Sequence, residues 1–481
     1  MMIHNNQPLA HRHITILSLG LACVLLSLGC GDDRDDVYTN DLGGETRDAG
    51  QDLGGTDVGL SEAQNDEVSR SENCSSTRRP LIFIHGFLAA GDTWSRHVQR
   101  LVATGSCLNR IKAYDWNTLD MNGDHIQGLE MLLDELLLDA ESDQVDLVGH
   151  SAGGGLAYQF LSDAQRARKV HHYVHVGSFP NDAPPTPEGA LPIPTLNLWS
   201  QGDLTVEGGD IDGATNVTLE QEDHYAVATS LNSFQELVTF LYQDQALSQD
   251  PRPSPQEDGE VTVSGRALTL GENRPERDMP LTVWSLNTRG QRQAQVIETT
   301  TDSAGHFRLE GLKAQGSYEF VIQDANEDQS DRRAQVRYFT PPLKRDDPLM
   351  YLRTFPGPGT LASILVSQLP QAEDQISIVF FNAHRAFLTG RDSLTLNGRE
   401  LLTPEVANAE NTTIAIFAFD IDGDGQQGGT LPLFDRFPFL AALDVPFEPN
   451  PQSSLEVKYN GLTLHLPADP ASEGTMIVVF P

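Results

Sequence analysis

Over residues 78–247, short apolar runs alternate with stretches whose apolar positions recur every three or four residues. Runs at 80–87, 110–114, 145–149, 170–176, 195–199 and 216–219 read as strands; 94–103, 127–140, 154–162 and 233–242 read as helices. Strands that are apolar on both sides and stop at glycine or a polar turn are expected inside a parallel sheet. Their alternation with helices predicts a mostly parallel sheet covered on both faces. Beyond residue 258 the helical period disappears and alternation with a period of two takes over. It occupies 261–265, 281–284, 295–299, 306–309 and 318–321, then 375–381, 413–419, 454–459 and 474–480. The pattern therefore predicts an α/β domain at 78–247, a proline-rich spacer at 248–258, a β-sandwich at 259–354 and a second all-β unit at 355–481.

The first 30 residues follow neither pattern. A weakly basic start (Arg12, flanked by His11 and His13) precedes an apolar run from Ile14 to Gly29, too short and wrongly flanked to span a bilayer. It reads as an export signal. Its end, Leu26-Ser27-Leu28-Gly29-Cys30, resembles a bacterial lipobox, with the leucine four positions before the cysteine where three is usual. That resemblance implies lipidation of Cys30, and Gly31 in place of aspartate implies an outer-membrane address. Residues 31–77 hold thirteen Asp or Glu, three Arg and almost no large apolar side chains. Such a stretch cannot bury enough surface to offset its ordering entropy, and an acidic disordered tether is expected.

Composition narrows the function. The 481 residues carry a formal net charge of −36 with no basic patch in the sequence, which argues against nucleic acid as a partner. Of the four cysteines, Cys23 and Cys30 lie in the export segment. The remaining two, Cys74 and Cys107, are expected to pair in an exported chain.

Candidate chemistry lies at the ends of the predicted strands. Gly149-His150-Ser151-Ala152-Gly153 joins the strand at 145–149 to the helix at 154–162, the setting of a nucleophile elbow. Glycine is needed on either side because a serine on so tight a turn crowds the backbone two positions away. After the strand at 195–199 comes Ser200-Gln201-Gly202-Asp203, and after that at 216–219 comes Glu222-Asp223-His224. Chain order is thus serine, acid, histidine: Ser151, Asp203, His224. Competing acids are Glu207, Asp210 and Asp212, farther from the strand end. Competing histidines are His171, His172 and His175, inside a predicted strand and read as packing or surface residues. The first strand ends in His85-Gly86-Phe87, so the amides of Phe87 and Ala152 are candidates for an oxyanion hole, with His85 holding the loop.

With these residues in view, 80–242 resembles the lidless minimal lipases and esterases of the α/β-hydrolase superfamily. The match rests on His85-Gly86-Phe87, Tyr114-Asp115-Trp116, the Ser151 pentapeptide, Asp203, and Gly213-Ala214-Thr215-Asn216-Val217 leading to Asp223-His224. The resemblance implies that Ser151 is the nucleophile, His224 the base and then acid, and Asp203 the carboxylate that fixes the imidazole tautomer. No cofactor is required for chemistry of this kind. The short proline-rich stretch at 177–194 leaves no room for a helical cap, so an open site taking accessible esters is expected. Other readings kept open are a polyester depolymerase, an amidase or peptidase on the same fold, and a catalytically idle binding lipoprotein.

In the second half, Thr301-Asp302-Ser303-Ala304-Gly305-His306-Phe307 with Leu309 and Gly311-Leu312 resembles the transthyretin-like, carboxypeptidase-regulatory type of sandwich, which implies an accessory role. Asp420, Asp422 and Asp424 alternate in a glycine-turned loop and are candidates for a structural calcium, although Leu431 stands where a bidentate acid would be expected.

Overall fold

A computed structural model of the protein describes residues 74–480, apart from 121, 245–248, 324–334 and 435–436. The export signal, Cys30 and the acidic tether lie outside the described residues.

Six parallel strands form the first sheet: β1 (Leu81–Ile84), β2 (Ile111–Tyr114), β3 (Val145–His150), β4 (Val170–Val176), β5 (Thr195–Ser200) and β6 (Thr215–Leu219), in the order β2-β1-β3-β4-β5-β6. The helices are α1 (Ser95–Ala103), α2 (His125–Asp139), α3 (Ala152–Leu161), α4 (Ala164–Ala167) and α5 (Leu231–Tyr242). Because successive strand residues face opposite ways, one strand feeds two cores. Leu81 and Phe83 pack with Val98 and Leu101 of α1 and Phe234 and Leu237 of α5. Ile82 and Ile84 pack with Leu129 and Leu133 of α2 and Phe160 of α3. All four β1 residues are fully buried, as expected for a strand with helices on both faces. The order of connection reverses between β1 and β3. In such sheets the crevice over the carboxyl ends at that point is where ligands bind.

A disulfide joins Cys74 to Cys107, with 5.0 Å between their α-carbons and 33 positions between them in sequence. It ties the segment before β1 to the connection between α1 and β2.

The second half is built from β7 (Glu260–Thr269), β8 (Pro280–Leu286), β9 (Arg292–Thr300), β10 (His306–Lys313), β11 (Tyr318–Ile322), β12 (Val336–Phe339) and β13 (Asp347–Thr354). After the short helix α6 (Leu361–Val366) come β14 (Ile378–Asn382), β15 (Leu394–Leu396), β16 (Arg399–Glu400), β17 (Ala415–Phe419), β18 (Leu440–Asp444), β19 (Ser454–Tyr459), β20 (Leu462–Pro467) and β21 (Thr475–Phe480). Eight of them form one sheet, β18-β17-β14-β21-β12-β11-β8-β9. It lies between a three-stranded sheet, β10-β7-β13, and a four-stranded one, β16-β15-β19-β20. Val379, Phe417 and Ile477 face the first core, while Phe380, Ile416 and Val478 face the second. The segmentation expected at 354/355 runs through this sheet: the last strand, β21, pairs in parallel with β12 on one side and β14 on the other. Alternation gives strands but not partners, and these partners are more than 90 residues apart in sequence.

The two halves share polar contacts. Asp115, whose side chain is 2% exposed, accepts from Arg266 Nη1 at 2.6 Å and from Tyr351 Oη at 2.8 Å. Arg353 pairs with Asp92 at 2.6 Å. Asp250, in the expected spacer, pairs with Arg100 of α1 at 3.2 Å.

Candidate active site

The elbow is strained where its glycines allow it. Ser151 has φ +53° and ψ −121°, a region that side chains other than glycine rarely enter. A β-carbon on Gly149 would lie 2.6 Å from the carbonyl oxygen of Gly153, and one on Gly153 would lie 2.6 Å from that of His85. Both positions therefore exclude any larger residue, Gly149 because the turn folds back on Gly153 and Gly153 because it packs on the end of β1 and not, as expected, because of the serine. The turn is anchored by the Ser151 amide donating to Val176 O at 3.0 Å and by Ser178 Oγ donating to Ser151 O at 2.8 Å.

Ser151, His224 and Asp203 come together. His224 Nε2 is 2.9 Å from Ser151 Oγ, and its Nδ1 is 2.7 Å from Asp203 Oδ2. Since a carboxylate accepts, Nδ1 carries the proton and Nε2 turns a lone pair to the serine hydroxyl. The other oxygen of Asp203 accepts from the amides of Thr205 at 2.9 Å and Val206 at 3.0 Å, which fixes the carboxylate. Asp203 and His224 are buried. Of the competing acids, Asp210 accepts from Trp199 Nε1 at 3.3 Å, and Asp210, Asp212 and Glu207 are exposed. His171 meets Gln144, His172 meets Asp146 and His175 meets Tyr173.

Among the described residues, neither the Phe87 nor the Ala152 amide has an acceptor. Ala152 opens α3, so its amide has no partner within the helix. His85 holds the first loop: its Nδ1 lies 2.8 Å from Gly86 O, and the Trp116 amide donates to its Nε2 at 3.2 Å. Asn273, from the second half, donates to the carbonyls of Ala89 at 2.8 Å and Trp116 at 3.0 Å and lies 3.2 Å from the same His85 nitrogen. His150 Nε2 donates to His224 O at 2.8 Å, and burial first, then His224, holds the His150 imidazole well below its ordinary value.

The second half also supplies what sequence reading missed. Phe439 stacks on the His224 ring, with centroids 5.7 Å apart and planes 10° apart. It does so at φ +75°, unusual for an aromatic residue. Phe439 packs with Tyr225 and Ile414, and Phe87 and Phe381 pack against them. Thr412 Oγ1 lies 2.7 Å from Thr205 Oγ1, beside Asp203. Asp223, next to His224, accepts from the Ala386 amide at 3.1 Å and pairs with Arg391 at 3.4 Å. The site expected to be open and served by accessory modules is thus walled from the second half. The cover comes from some 200 residues downstream, where no local signal ties it to the triad. Beside this wall lies an apolar cavity of about 70 Å³, lined by Leu88 and Tyr225 from one half and by Phe355, Phe417 and Ile477 from the other.

The acidic loop differs from expectation. Asp420, Asp422 and Asp444 bring one oxygen each to within 4.8 Å of one another. Asp424 is not part of this cluster and accepts from the Gln426 amide at 2.7 Å. Asp420 also accepts from the amides of Gly423 and Gly425.

Two family models match parts of the chain. Residues 81–311 match the model of the α/β hydrolase family, and residues 384–480 match that of a C-terminal domain. No curated protein matches the chain. Among solved structures, a bromoperoxidase from Bacillus anthracis is 18% identical, covering 35% of this chain and 93% of its own, with a TM-score of 0.28. Lipase BlEst2 of Bacillus licheniformis is 14% identical over 36% of this chain and 96% of its own, with a TM-score of 0.29. The thioesterase domain from the curacin biosynthetic pathway is 14% identical over 35% and 92%, with a TM-score of 0.26.

Proposed function

We propose that this chain, an α/β-hydrolase domain followed by β-rich sheets, is a serine hydrolase of carboxylic esters that works through an acyl-enzyme. The observation that carries the reading is the relay Ser151 Oγ to His224 Nε2 at 2.9 Å and His224 Nδ1 to Asp203 Oδ2 at 2.7 Å. In the proposed reaction Ser151 Oγ attacks the acyl carbon while His224 Nε2 takes its proton, and Asp203 stabilises the imidazolium. The amides of Phe87 and Ala152 receive the developing oxyanion. Collapse breaks the bond to the alkoxy oxygen, which takes the proton from His224 and leaves as the alcohol. Water then attacks the acyl-serine, with His224 again as base, and the acid leaves. Side chains and backbone amides suffice, so no cofactor enters.

The apolar cluster around Phe87, Tyr225, Ile414 and Phe439 supports an acyl group of apolar character. Anchoring through a lipidated Cys30 at the outer membrane belongs to the same proposal, and Cys30→Ser should then release the protein from membranes. The hydrolase reading is tested with p-nitrophenyl esters of increasing chain length and matched amides. Ester turnover should fall at least about a thousandfold in Ser151→Ala, with unchanged circular dichroism. A folded variant with undiminished turnover would overturn the reading. Faster turnover of the amides would favour a peptidase or amidase.

A further inference from the structure

The chain is strongly acidic, yet one cavity gathers its cations. Arg96 of α1, Arg252, Lys344 and Arg345 line a space of about 370 Å³ between α1 and the segment 340–353. Arg353 lines it as well and is committed to Asp92, and Arg252 is committed to Asp250 at 2.9 Å. The side chains of Arg96, Lys344 and Arg345 make no hydrogen bond or ion pair among the described residues. Two carboxylates share the lining but do not neutralise these cations. Asp92 is held by Arg353, and burial pushes the Asp347 carboxyl up, towards its neutral form. Burial first, then Arg252 and Arg100, brings the Arg96 guanidinium down to about 9.

Lys344 is exposed while Arg96 and Arg345 are partly buried, and gathering like charges at a partly desolvated wall is unfavourable unless an anion accompanies them. One further donor waits at the same place: Thr340 Oγ1 is buried without a partner, and the residue lines the cavity. The remaining wall is apolar, with Leu343, Leu349, Phe381, Leu462 and Val479.

We propose that this cavity binds an amphiphilic monoanion, a carboxylate with an aliphatic tail. Its head lies among Arg96, Lys344 and Arg345, and its tail lies on the Leu343, Leu349 and Leu462 side. With Arg353 paired to Asp92 and Arg252 to Asp250, the lining leaves Arg96, Lys344 and Arg345, and the apolar wall beside them suits an anion with an aliphatic body better than a bare one. Guanidinium groups match a carboxylate in a planar, two-bond arrangement, and Thr340 can donate to the same head. The proposal does not depend on the ester-hydrolysis reading, because no residue of the relay lines the cavity.

The test is calorimetric titration of the full chain with laurate, beside dodecanol as the neutral analogue and inorganic phosphate as the bare anion. Laurate should bind saturably and raise the melting temperature. In an Arg96→Gln, Arg345→Gln double variant its affinity should fall about ten- to a hundredfold, with dodecanol unaffected and Arg96→Lys between the double variant and wild type, because an ammonium keeps the charge but not the two-bond match. Without ligand the double variant should melt no lower than wild type, since it loses only unpaired charge. Equal laurate affinity in wild type and the double variant would overturn the proposal. So would phosphate displacing laurate at equal concentration. A variant that melts lower without ligand yet binds laurate as before would show the arginines to be structural and would overturn it too.

Discussion

The two halves of this molecule solve burial in opposite ways. In residues 81–242 each strand pairs in parallel with a strand reached through a helical or loop crossover, and the chemistry sits at strand ends that can be found one run at a time. In residues 260–480 the sheet is ordered by distant partners: β21 completes pairs with β12 and β14, and β13 lies parallel to β7. The first half holds the serine, acid and histidine; the second holds them still. Phe439 lies on the imidazole, Thr412 touches the acid loop and Asn273 braces His85. A reactive constellation can thus be local in sequence order while the walls that position it are not.

The comparison breaks most severely if the halves are separated. A chain ended at residue 258 leaves Asp115 without Arg266 and Tyr351, and Asp92 without Arg353. It also uncovers Tyr225 and Phe87. Buried carboxylates stripped of their partners are destabilising, so this fragment should be insoluble or lose ester turnover by at least about a hundredfold. Soluble expression and steady-state kinetics of the fragment check it, and wild-type turnover would mean that the second half is a separate accessory.

A finer cut is Phe439→Ala, which keeps the relay and removes the ring above it. The expected loss in kcat is about ten- to a hundredfold because a loosened imidazole misplaces the proton transfer, with a smaller rise in KM as the apolar wall is cut back. The pH dependence of kcat should move with it, whereas a mutation that merely softened the fold would leave that profile in place.

Much of the first half was legible because its strands are apolar on both faces and end in residues of unusual type. Gly149 and Gly153 announced the turn, and Asp203 and His224 followed strand ends. Boundaries moved by only a few positions, as where α3 begins at Ala152 and not at Gly154. The second half gave its alternating strands but not their order. Strands β12, β13, β15, β16, β18 and β20 went unread, β15 and β16 being only three and two residues long. Phe439 had no local signal beyond a cluster of aromatic residues, and Asp444 joins the acidic loop from a strand some twenty residues on. The cations of the basic cavity are spread from position 96 to 353, so composition alone concealed them.

Smaller effects sharpen the same contrast. Closing the loop between Cys74 and Cys107 should contribute about 3 to 4 kcal/mol on a chain-entropy account. Cys107→Ser should lower the denaturation midpoint of the first half, read by urea titration under oxidising conditions; an unchanged midpoint would contradict this. Smallest is Asp250, which docks the spacer on Arg100. Burial raises its carboxyl, but Arg100 and Arg252 outweigh burial and hold it at about 2. A carboxyl lowered on folding adds stability above its ordinary value near 4, and that contribution fades as pH falls towards 2. Asp250→Asn should therefore lower the melting temperature slightly at pH 6 and leave it nearly unchanged at pH 2. An equal shift at both values would show that its charge is not what docks the spacer.

The most direct measurement of the central claim is the mass of the protein during turnover of a slowly deacylating p-nitrophenyl ester, followed by peptide mapping. One equivalent of acyl group should appear with the burst of p-nitrophenolate, on the peptide that contains Ser151, and not form in Ser151→Ala. A burst without an adduct, or an adduct on any other residue, would contradict the account.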